Sequence, residues 1–149
     1  MFKGASSLNL DAKGRLAIPA KYRDALQAHS GGEMVITAHS HPCLLLYPVP
    51  AWEPIQSKIM ALSSFEKRAA ALQRRLVGYA EDVILDGAGR MLISSVLRDL
   101  VGLGKEVMLV GQGSHFEIWD KEAWVRECRS AVNDDGEFEM PPELEGFSL

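Results

Sequence analysis

The sequence has little cysteine and no long apolar run. Cys43 and Cys128 are the two cysteines in 149 residues, too few for the disulfide framework of a small secreted domain and typical of a reducing cytosol. The best apolar run, residues 43–47, stops at Pro48, whereas a membrane-spanning helix needs about 20 apolar residues. The first five residues also lack the apolar stretch of a signal peptide. We therefore expect neither a membrane protein nor a secreted mini-protein, and we predict a cytoplasmic location.

The composition is that of an ordinary globular protein, with 47% hydrophobic and 24% charged residues. The length fits one domain of usual size or two very small ones. Charge is unevenly distributed, because residues 1–76 carry a net +5 and residues 77–149 a net −9. A basic half favours a polyanionic partner, although asymmetry of this size is also common without one. The last 17 residues contain six acids and no lysine or arginine, which predicts an acidic tail outside the core.

Residues 8–26 and 83–101 repeat one another. Aligned without gaps, the two stretches share seven identities in 19 positions. The identical pairs are Leu10/Leu85, Asp11/Asp86, Gly14/Gly89, Arg15/Arg90, Ile18/Ile93, Arg23/Arg98 and Asp24/Asp99. After three residues are omitted, the alignment continues with Val35/Val107, Leu46/Ile118, Tyr47/Trp119 and Trp52/Trp124. A period of about 75 residues is too long for a solenoid unit, so the sequence predicts two copies of one small module.

Each copy has the same predicted element order. A strand ends at Leu10 or Leu85, a turn follows, and a second strand covers residues 15–18 or 90–93. Pro19 opens a short helix in the first copy, and Ser94 or Ser95 caps its equivalent. Two further strands follow, and a final helix begins near residues 50–52 or after the N-cap Asp120. The last pair of strands is predicted at residues 33–37 and 43–47 in the first copy and at 105–110 and 116–119 in the second, with residues 111–114 as the break.

The predicted organisation has four parts: repeat 1 at residues 5–52, a helical connector at 53–80, repeat 2 at 81–124, and a helix end with an acidic, disordered tail at 125–149. The connector helix spans about residues 65–79, with Ser64 as N-cap and an apolar stripe of Leu72, Leu76 and Tyr79. A module of about 45 residues buries too little area alone. We therefore expect a β-rich α+β fold in which the two copies pack about a pseudo-two-fold axis.

The duplicated Asp-x-x-Gly-Arg turn is the clearest polar signal. Asp11 can accept backbone N–H bonds across the turn, and Arg15 then presents a planar fork suited to phosphate oxygens and guanine edges. The alternative is that Asp11 and Arg15 simply pair and hold the loop. In the second copy, Ala88 and Val96 replace Lys13 and Lys21, so the first copy is the better polyanion binder. Its basic neighbours along the chain are Lys3, Lys13, Lys21 and Arg23.

Other chemistry has little support. His39, His41 and Cys43 could share a face of an extended strand, but Pro42 interrupts it and no second Cys/His cluster exists, so a loop is the favoured interpretation over a metal site. No catalytic triad spacing, nucleophile elbow or phosphate-binding loop is present. We expect no enzyme activity, no cofactor and no small-molecule substrate. Trp52 and Trp124 are interpreted as core or interface anchors, and Cys128 as a small apolar filler.

The sequence closely resembles the MraZ family of bacterial transcriptional regulators from Met1 to about Arg129. The resemblance rests on five segments: MFKG at residue 1, LDAKGRLAIP at 10, CLLLYP at 43, LQRRL at 72 and VGQG at 110. It implies a double swapped-hairpin (AbrB-like) barrel with both modules in one chain. This chain has Ser94-Ser95 where the second motif of the family commonly has proline, which weakens the inference that both motifs act alike.

The resemblance also implies a function. Family members form ring-shaped homo-oligomers, associate with the nucleoid and bind short direct repeats in the promoter of the division and cell-wall gene cluster that contains their own gene, often as repressors. The expected DNA-binding residues are Asp11, Lys13, Gly14 and Arg15, joined by Lys3, Lys21 and Arg23, with Asp86, Gly89 and Arg90 as a less secure second motif. Double-stranded DNA and a second copy of the chain are the expected partners, without any membrane. The alternative is a protein-binding or antitoxin-like scaffold.

Overall fold

The computed structural model describes residues 1–148; Leu149, at the end of the predicted tail, lies outside the described residues. The chain has a mixed α+β, sheet-rich fold. The strands are β1 (Phe2–Asn9), β2 (Arg15–Ala17), β3 (Glu33–Ala38), β4 (Leu44–Pro48), β5 (Glu81–Ile84), β6 (Arg90–Leu92), β7 (Glu106–Gly113) and β8 (Phe116–Asp120). The helices are α1 (Ala20–Ser30), α2 (Val49–Met60), α3 (Lys67–Leu76), α4 (Ser95–Val101) and α5 (Lys121–Ser130), followed by a 3-10 turn at Pro142–Leu144.

The two repeats exchange strands. Six strands form one sheet in the order β1-β7-β8-β4-β3-β5, and β2 pairs with β6 in a separate two-stranded ladder. The first strand of each repeat therefore pairs with the third strand of the other repeat, β1 with β7 and β5 with β3, both antiparallel. The second strands, β2 and β6, also pair only across repeats among the described residues. This exchange makes each repeat dependent on the other, as its small size predicts.

Local sequence signals set the limits of several elements. Pro19 precedes α1 directly, and Gly31 ends that helix in the left-handed conformation at φ 62°. Ser94 is the N-cap of α4, where its hydroxyl accepts a bond from the Leu97 N–H, and Gly102 ends α4 with φ 66°. The predicted strand, turn, strand and helix order is found in both repeats, with differences of one or two residues at most of the ends.

One large core lies between the sheet, the β2–β6 ladder and helices α1 and α4. It draws alternate residues of the strands, because successive side chains point to opposite faces. Fully buried members include Leu16, Ile36, Met91, Leu109 and Phe116. The opposite sheet face is covered by α2, α3 and α5, where Trp52 is buried and Trp124 packs beside Cys43, Val110 and Trp119. Both tryptophans are thus packing residues, as predicted.

One predicted helix cap is wrong, and a second is at the predicted position without a capping bond. The N-cap of α3 is Glu66 rather than Ser64, and its carboxylate accepts a 2.6 Å bond from the Ala69 N–H. Asp120 does precede α5, but its carboxylate accepts a 3.0 Å bond from the Gly104 N–H and caps no amide of the helix. The apolar stripe of α3 also differs from the prediction, because Leu72 is exposed and Ala69 is the buried residue.

Other differences come from long-range pairing. Residues 111–113 were predicted as part of a turn but continue β7, because Phe2 and Lys3 pair with Gly113 and Gln112. Gly111 fits there because a Cβ at this position would collide with the Lys3 backbone nitrogen. Cys128 is exposed on α5 and fills no apolar space.

The tail contributes nothing to the core. None of residues 131–148 is buried, and Phe138, Met140, Leu144 and Phe147 are exposed. Two of the predicted domain limits, after residues 52 and 124, fall inside helices α2 and α5. No helix within residues 1–148 is long and apolar enough to cross a membrane.

Candidate nucleic-acid interface

The first turn, defined as residues 11–15, is built around the Asp11 carboxylate. Its Oδ1 accepts a 2.9 Å bond from the Lys13 N–H and a 2.8 Å bond from the Arg15 N–H. The Gly14 N–H donates to the Asp11 carbonyl at 3.0 Å, and Gly14 adopts the positive φ of 82° that the tight turn requires. The chain therefore reverses direction with Arg15 held at its exit, as predicted for Asp11.

The second turn, defined as residues 86–90, repeats this geometry. Asp86 Oδ1 accepts 2.9 Å bonds from the Ala88 and Arg90 N–H groups, and Gly89 has a φ of 73°. Arg90 Nε donates to Asp86 Oδ2 at 3.0 Å, whereas Arg15 Nε donates to Asp11 Oδ2 at 2.6 Å. Proline is therefore not required after the second motif for this turn to form.

Both arginines pair with aspartate through Nε and are still partly exposed. The Arg15 and Arg90 side chains are 31% and 38% exposed. A guanidinium has five N–H donors, and within residues 1–148 only the Nε of each is engaged with a protein acceptor. Each arginine thus stabilises its turn through Nε, while the rest of its guanidinium stays available to a ligand. Pairing within the turn and binding of a polyanion are therefore compatible roles for the motif.

The β2–β6 ladder places both arginines on one face. Arg15 lies opposite Leu92 and Ala17 lies opposite Arg90, while Leu16 and Met91 point into the core. Cross-strand partners project to the same side, so the outer face carries the two arginines at diagonal corners. Strand spacing of about 4.8 Å and a rise of about 3.3 Å per residue put their Cα atoms roughly 8 Å apart.

The aspartates stay ionised well into acid. The Arg15 N–H, donated to the carboxylate, is the main cause that holds the pKa of Asp11 below its usual 3.8, and the Arg15 guanidinium adds to the effect. The Arg90 N–H lowers the pKa of Asp86 in the same way. Each turn therefore contains a complete ion pair at neutral pH, and the Lys13 ammonium adds a positive charge to the first turn that the second lacks.

The remaining predicted cations do not all lie at this turn. Lys3 is the second residue of β1, whereas the first turn follows the other end of that eight-residue strand, on the order of 20 Å away at about 3.3 Å per residue. Lys21 lies near Lys3, since its Nζ would be 3.6 Å from a Cβ at Gly4 and it lies over the Tyr22 ring. Lys3 and Lys21 thus form a second basic area at the far end of β1.

Arg23 lies beside the second turn instead of the first. Its Nε donates to the Ile18 carbonyl at 2.6 Å, and its guanidinium packs on Gly89. Two residues absent from the sequence-based set border the first turn: Arg98 packs on Gly14, and Lys105 accepts a bond from the Leu10 N–H through its carbonyl. Together with Asp11 and Ala12, they line an open groove of about 510 Å³. The Arg23/Arg98 identity between the repeats was the signal that could have pointed to Arg98.

A second polar cluster lies on the other sheet face. His39 Nε2 is 3.6 Å from Glu117 Oε2, Trp119 Nε1 donates to Glu117 Oε1 at 3.0 Å, and His115 stacks on Tyr47. Burial lowers the pKa of His39, although the Glu117 charge opposes the shift. Residues 39–43 form the predicted loop, and no metal-binding group of three His, Cys, Asp or Glu side chains occurs in residues 1–148. The Asp-Arg turns are therefore the stronger candidate site.

Comparison with known proteins agrees with the duplication. The family model described as "MraZ protein, putative antitoxin-like" matches the chain twice, over residues 1–75 and 76–134. The chain is 66% identical over 149 residues to the "Transcriptional regulator MraZ" of Methylobacillus flagellatus, with all of both chains covered. It is 55% and 47% identical to proteins of the same name from Nitrosomonas eutropha and Yersinia pestis, again over all of both chains. The similarity thus extends past Arg129 into the tail.

Proposed function

The chain belongs to the MraZ family, and from this premise we propose that it is a transcriptional regulator that binds double-stranded promoter DNA through its two Asp-x-x-Gly-Arg turns. The observation that carries the proposal is the diagonal placement of Arg15 and Arg90 on one outer face of the β2–β6 ladder. The major groove, about 12 Å wide, admits a two-stranded β-ribbon. The β2–β6 ladder is such a two-stranded element, and its outer face carries two arginines.

The two turns have unequal parts in this proposal. Arg15 reads a base edge or a phosphate, Asp11 fixes the direction of its fork, and Gly14 and the Lys13 ammonium complete the first turn. Arg90, with Asp86 and Gly89, makes a second contact that lacks a lysine neighbour. Phosphate contacts supply affinity and salt dependence, while base contacts supply sequence preference. Lys3 and Lys21 lie too far from the turns to share one base step and serve as backbone contacts at a distance.

The finer proposal concerns targets and assembly. We propose that the protein forms a ring-shaped homo-oligomer, is nucleoid-associated in the cytoplasm, and represses the division and cell-wall gene cluster that includes its own gene. One turn offers few contacts, so a single subunit binds weakly. A ring repeats the turns at fixed intervals, and short direct repeats in the promoter then engage neighbouring subunits together, which raises affinity through effective concentration.

The fold proposal is a double swapped-hairpin barrel of the AbrB type. Strand exchange between the repeats supports it, as does the position of β2 beside β1 and of β6 beside β5. The four predicted parts of the chain, with limits at residues 5–52, 53–80, 81–124 and 125–149, belong to the same proposal.

The experiment is equilibrium binding to two labelled duplexes, one from upstream of the protein's own gene and one scrambled, across a salt series. Tight binding that prefers the native duplex and weakens steeply with salt supports a sequence-specific regulator. Equal binding to both duplexes contradicts sequence specificity, and binding to neither contradicts the DNA proposal. Light scattering on the same sample tests assembly, because a species at the 16.4 kDa mass of one chain contradicts the ring.

The second candidate is a protein-binding, antitoxin-like module. The family description and the exposed acidic tail with its apolar Phe138 and Phe147 favour it. A defined partner whose binding resists nuclease and high salt supports this candidate, while loss of that binding on nuclease treatment assigns the interaction to DNA.

A further inference from the structure

Two equivalent arginines each contact a turn of the opposite repeat. Arg23 on α1 and Arg98 on α4 occupy matching positions of the repeat. Each donates its Nε to the carbonyl that closes the strand segment before its own helix: Arg23 to Ile18 at 2.6 Å and Arg98 to Ile93 at 3.0 Å. Both side chains are half-buried, so each guanidinium is fixed at its base in a defined orientation.

Each guanidinium group then packs against the glycine of the opposite repeat's turn. A Cβ at Gly14 would lie 2.7 Å from Cζ and 2.9 Å from Nε of Arg98, and a Cβ at Gly89 would lie 2.7 Å from Cζ of Arg23. Such distances are shorter than any contact a real Cβ makes, so the arginine and the glycine backbone are in van der Waals contact and a methyl group between them is excluded.

Backbone hydrogen bonds also join each turn to the opposite repeat. The Ile93 N–H donates to the Gly14 carbonyl at 3.0 Å, and the Ile18 N–H donates to the Gly89 carbonyl at 2.9 Å. Each turn is thus hydrogen-bonded to the residue whose carbonyl holds the covering arginine. Gly14, Ile93 and Arg98 are therefore linked to one another by two hydrogen bonds and one packing contact. Gly89, Ile18 and Arg23 are linked in the same way.

We propose that Arg98 is the positioning residue for the first turn and Arg23 for the second, so that each repeat sets the orientation of the other repeat's Asp-Arg pair. Arg98 presses on Gly14, the residue directly before Arg15, and thereby fixes where the Arg15 backbone leaves the turn. Arg23 has the same relation to Gly89 and Arg90. Its place in the site is therefore support of the second turn, not contact with DNA beside Arg15.

The chemistry requires arginine. The guanidinium is planar and rigid, which allows its Nε to donate to a carbonyl while the rest of the group packs on a glycine backbone. Lysine keeps the positive charge but has a tetrahedral ammonium on a flexible stem, and it cannot do both. Arg98→Lys and Arg23→Lys therefore separate positioning from charge in a single, mild substitution.

The first experiment measures hydrogen exchange of the full-length protein in peptides that cover residues 10–16 and 85–91. We expect Arg98→Lys to speed exchange about tenfold in the first peptide and to leave the second unchanged, with the reverse for Arg23→Lys. A peptide from β4 serves as the reference for global unfolding. If a substitution speeds exchange in the turn of the repeat that contains it, or equally in both turns, the proposal that each arginine positions the opposite repeat's turn is overturned.

The second experiment rests on the proposed function and measures DNA binding by the same variants. We expect Arg98→Lys to lower the preference for the native over the scrambled duplex about tenfold, and Arg23→Lys to lower it less. Arg98→Gln is expected to keep the salt slope of the unmodified protein, because loss of a direct phosphate contact would reduce it by about 0.9. A reduced slope, or full rescue by lysine, overturns the positioning role.

The two experiments distinguish the two failures. If each variant speeds hydrogen exchange in the opposite repeat's turn but no form of the protein binds DNA, the positioning role stands and the proposed function is rejected. If the protein binds DNA specifically but the variants do not selectively speed exchange in the opposite repeat's turn, the positioning role is rejected and the proposed function stands.

Discussion

Arg15 and Arg90 lie at diagonal corners of one exposed ladder face, each held by its own aspartate. The arrangement follows from the exchange of strands, since β2 and β6 pair in a register that opposes Ala17 to Arg90. A short ladder whose inner residues, Leu16 and Met91, are fully buried cannot shift by one residue without turning both arginines inward. The core therefore fixes the separation of the two polar groups.

Truncating the two arginines should have unequal effects on DNA binding. Arg15→Ala removes the fork beside Lys13, and we expect it to abolish the preference for the native duplex, whereas Arg90→Ala should reduce affinity by about 1–3 kcal/mol. Binding is measured by titration at fixed salt. Both ion pairs lie at the surface, so each variant should keep an unfolding midpoint close to that of the unmodified protein. Retained specificity in Arg15→Ala contradicts its central role.

Gly14 tests the geometry of the turn itself. Gly14→Ala introduces a side chain at φ 82° and against the Arg98 guanidinium, so we expect a loss of about 1–3 kcal/mol of stability together with specific binding. The matched control is Gly87→Ala, because Gly87 has open space at its Cβ and the equivalent residue of the first turn is already Ala12. Thermal unfolding of both variants checks the prediction. Equal stability of the two would contradict the contact.

The repeat could be found from sequence, but its alignment was one residue off at the third strand. The pairs predicted further along, Leu46/Ile118, Tyr47/Trp119 and Trp52/Trp124, occupy equivalent positions in the structure. Val35 was aligned with Val107, yet Met34 and Val107 are the equivalent core residues: both are fully buried and both face the first strand of the opposite repeat. The lack of polar and apolar alternation along β3 makes such a shift hard to detect, because both Met34 and Val35 are apolar and both are buried. Only the residue paired on the neighbouring strand shows whether Met34 or Val35 is equivalent to Val107.

Local signals predicted the turns and most helix starts, whereas contacts distant in sequence decided the rest. Asp11, Gly14 and Arg15 lie within five residues, and their bonds follow from spacing alone. The grouping of Lys3 and Lys21 with Arg15 came from proximity in sequence, but an extended β1 separates Lys3 from the turn. The contact of Arg98 with Gly14 spans 84 positions across the repeats and had no local signal.

The core beneath the site should be sensitive to truncation. Leu16 is fully buried between the ladder and the sheet, and Leu16→Ala is expected to lower the free energy of unfolding by about 2–5 kcal/mol through lost burial and a cavity. Leu92→Ala is the control, because Leu92 lies on the same ladder with its side chain exposed and should change stability by about 0.5 kcal/mol or less. Urea denaturation measures both.

The two cysteines should differ in reactivity toward iodoacetamide. Cys128 is exposed on α5, while Cys43 is fully buried and burial raises the pKa of its thiol far above the usual value. The thiolate is the nucleophile, so the native protein should be alkylated once, at Cys128, and a second time only in denaturant. Mass spectrometry counts the adducts, and Cys128→Ser provides the unreactive control. Rapid modification of Cys43 in the native protein contradicts its burial.

The first turn should loosen in acid with a sign that follows from the pKa of Asp11. Because the folded value lies below the usual 3.8, the ionised carboxylate stabilises the turn at all pH values above the unfolded pKa. This contribution is lost as the pH falls through the folded pKa. We expect the Arg15 amide resonance to titrate with a midpoint below 3.8, and exchange of that amide, corrected for its intrinsic pH dependence, to speed up over the same range. Asp11→Asn keeps an oxygen acceptor without the charge, so it should remove this titration and weaken the hold on Arg15 at neutral pH. A midpoint above 3.8 would mean that the bonds from Lys13 and Arg15 do not stabilise the ionised form.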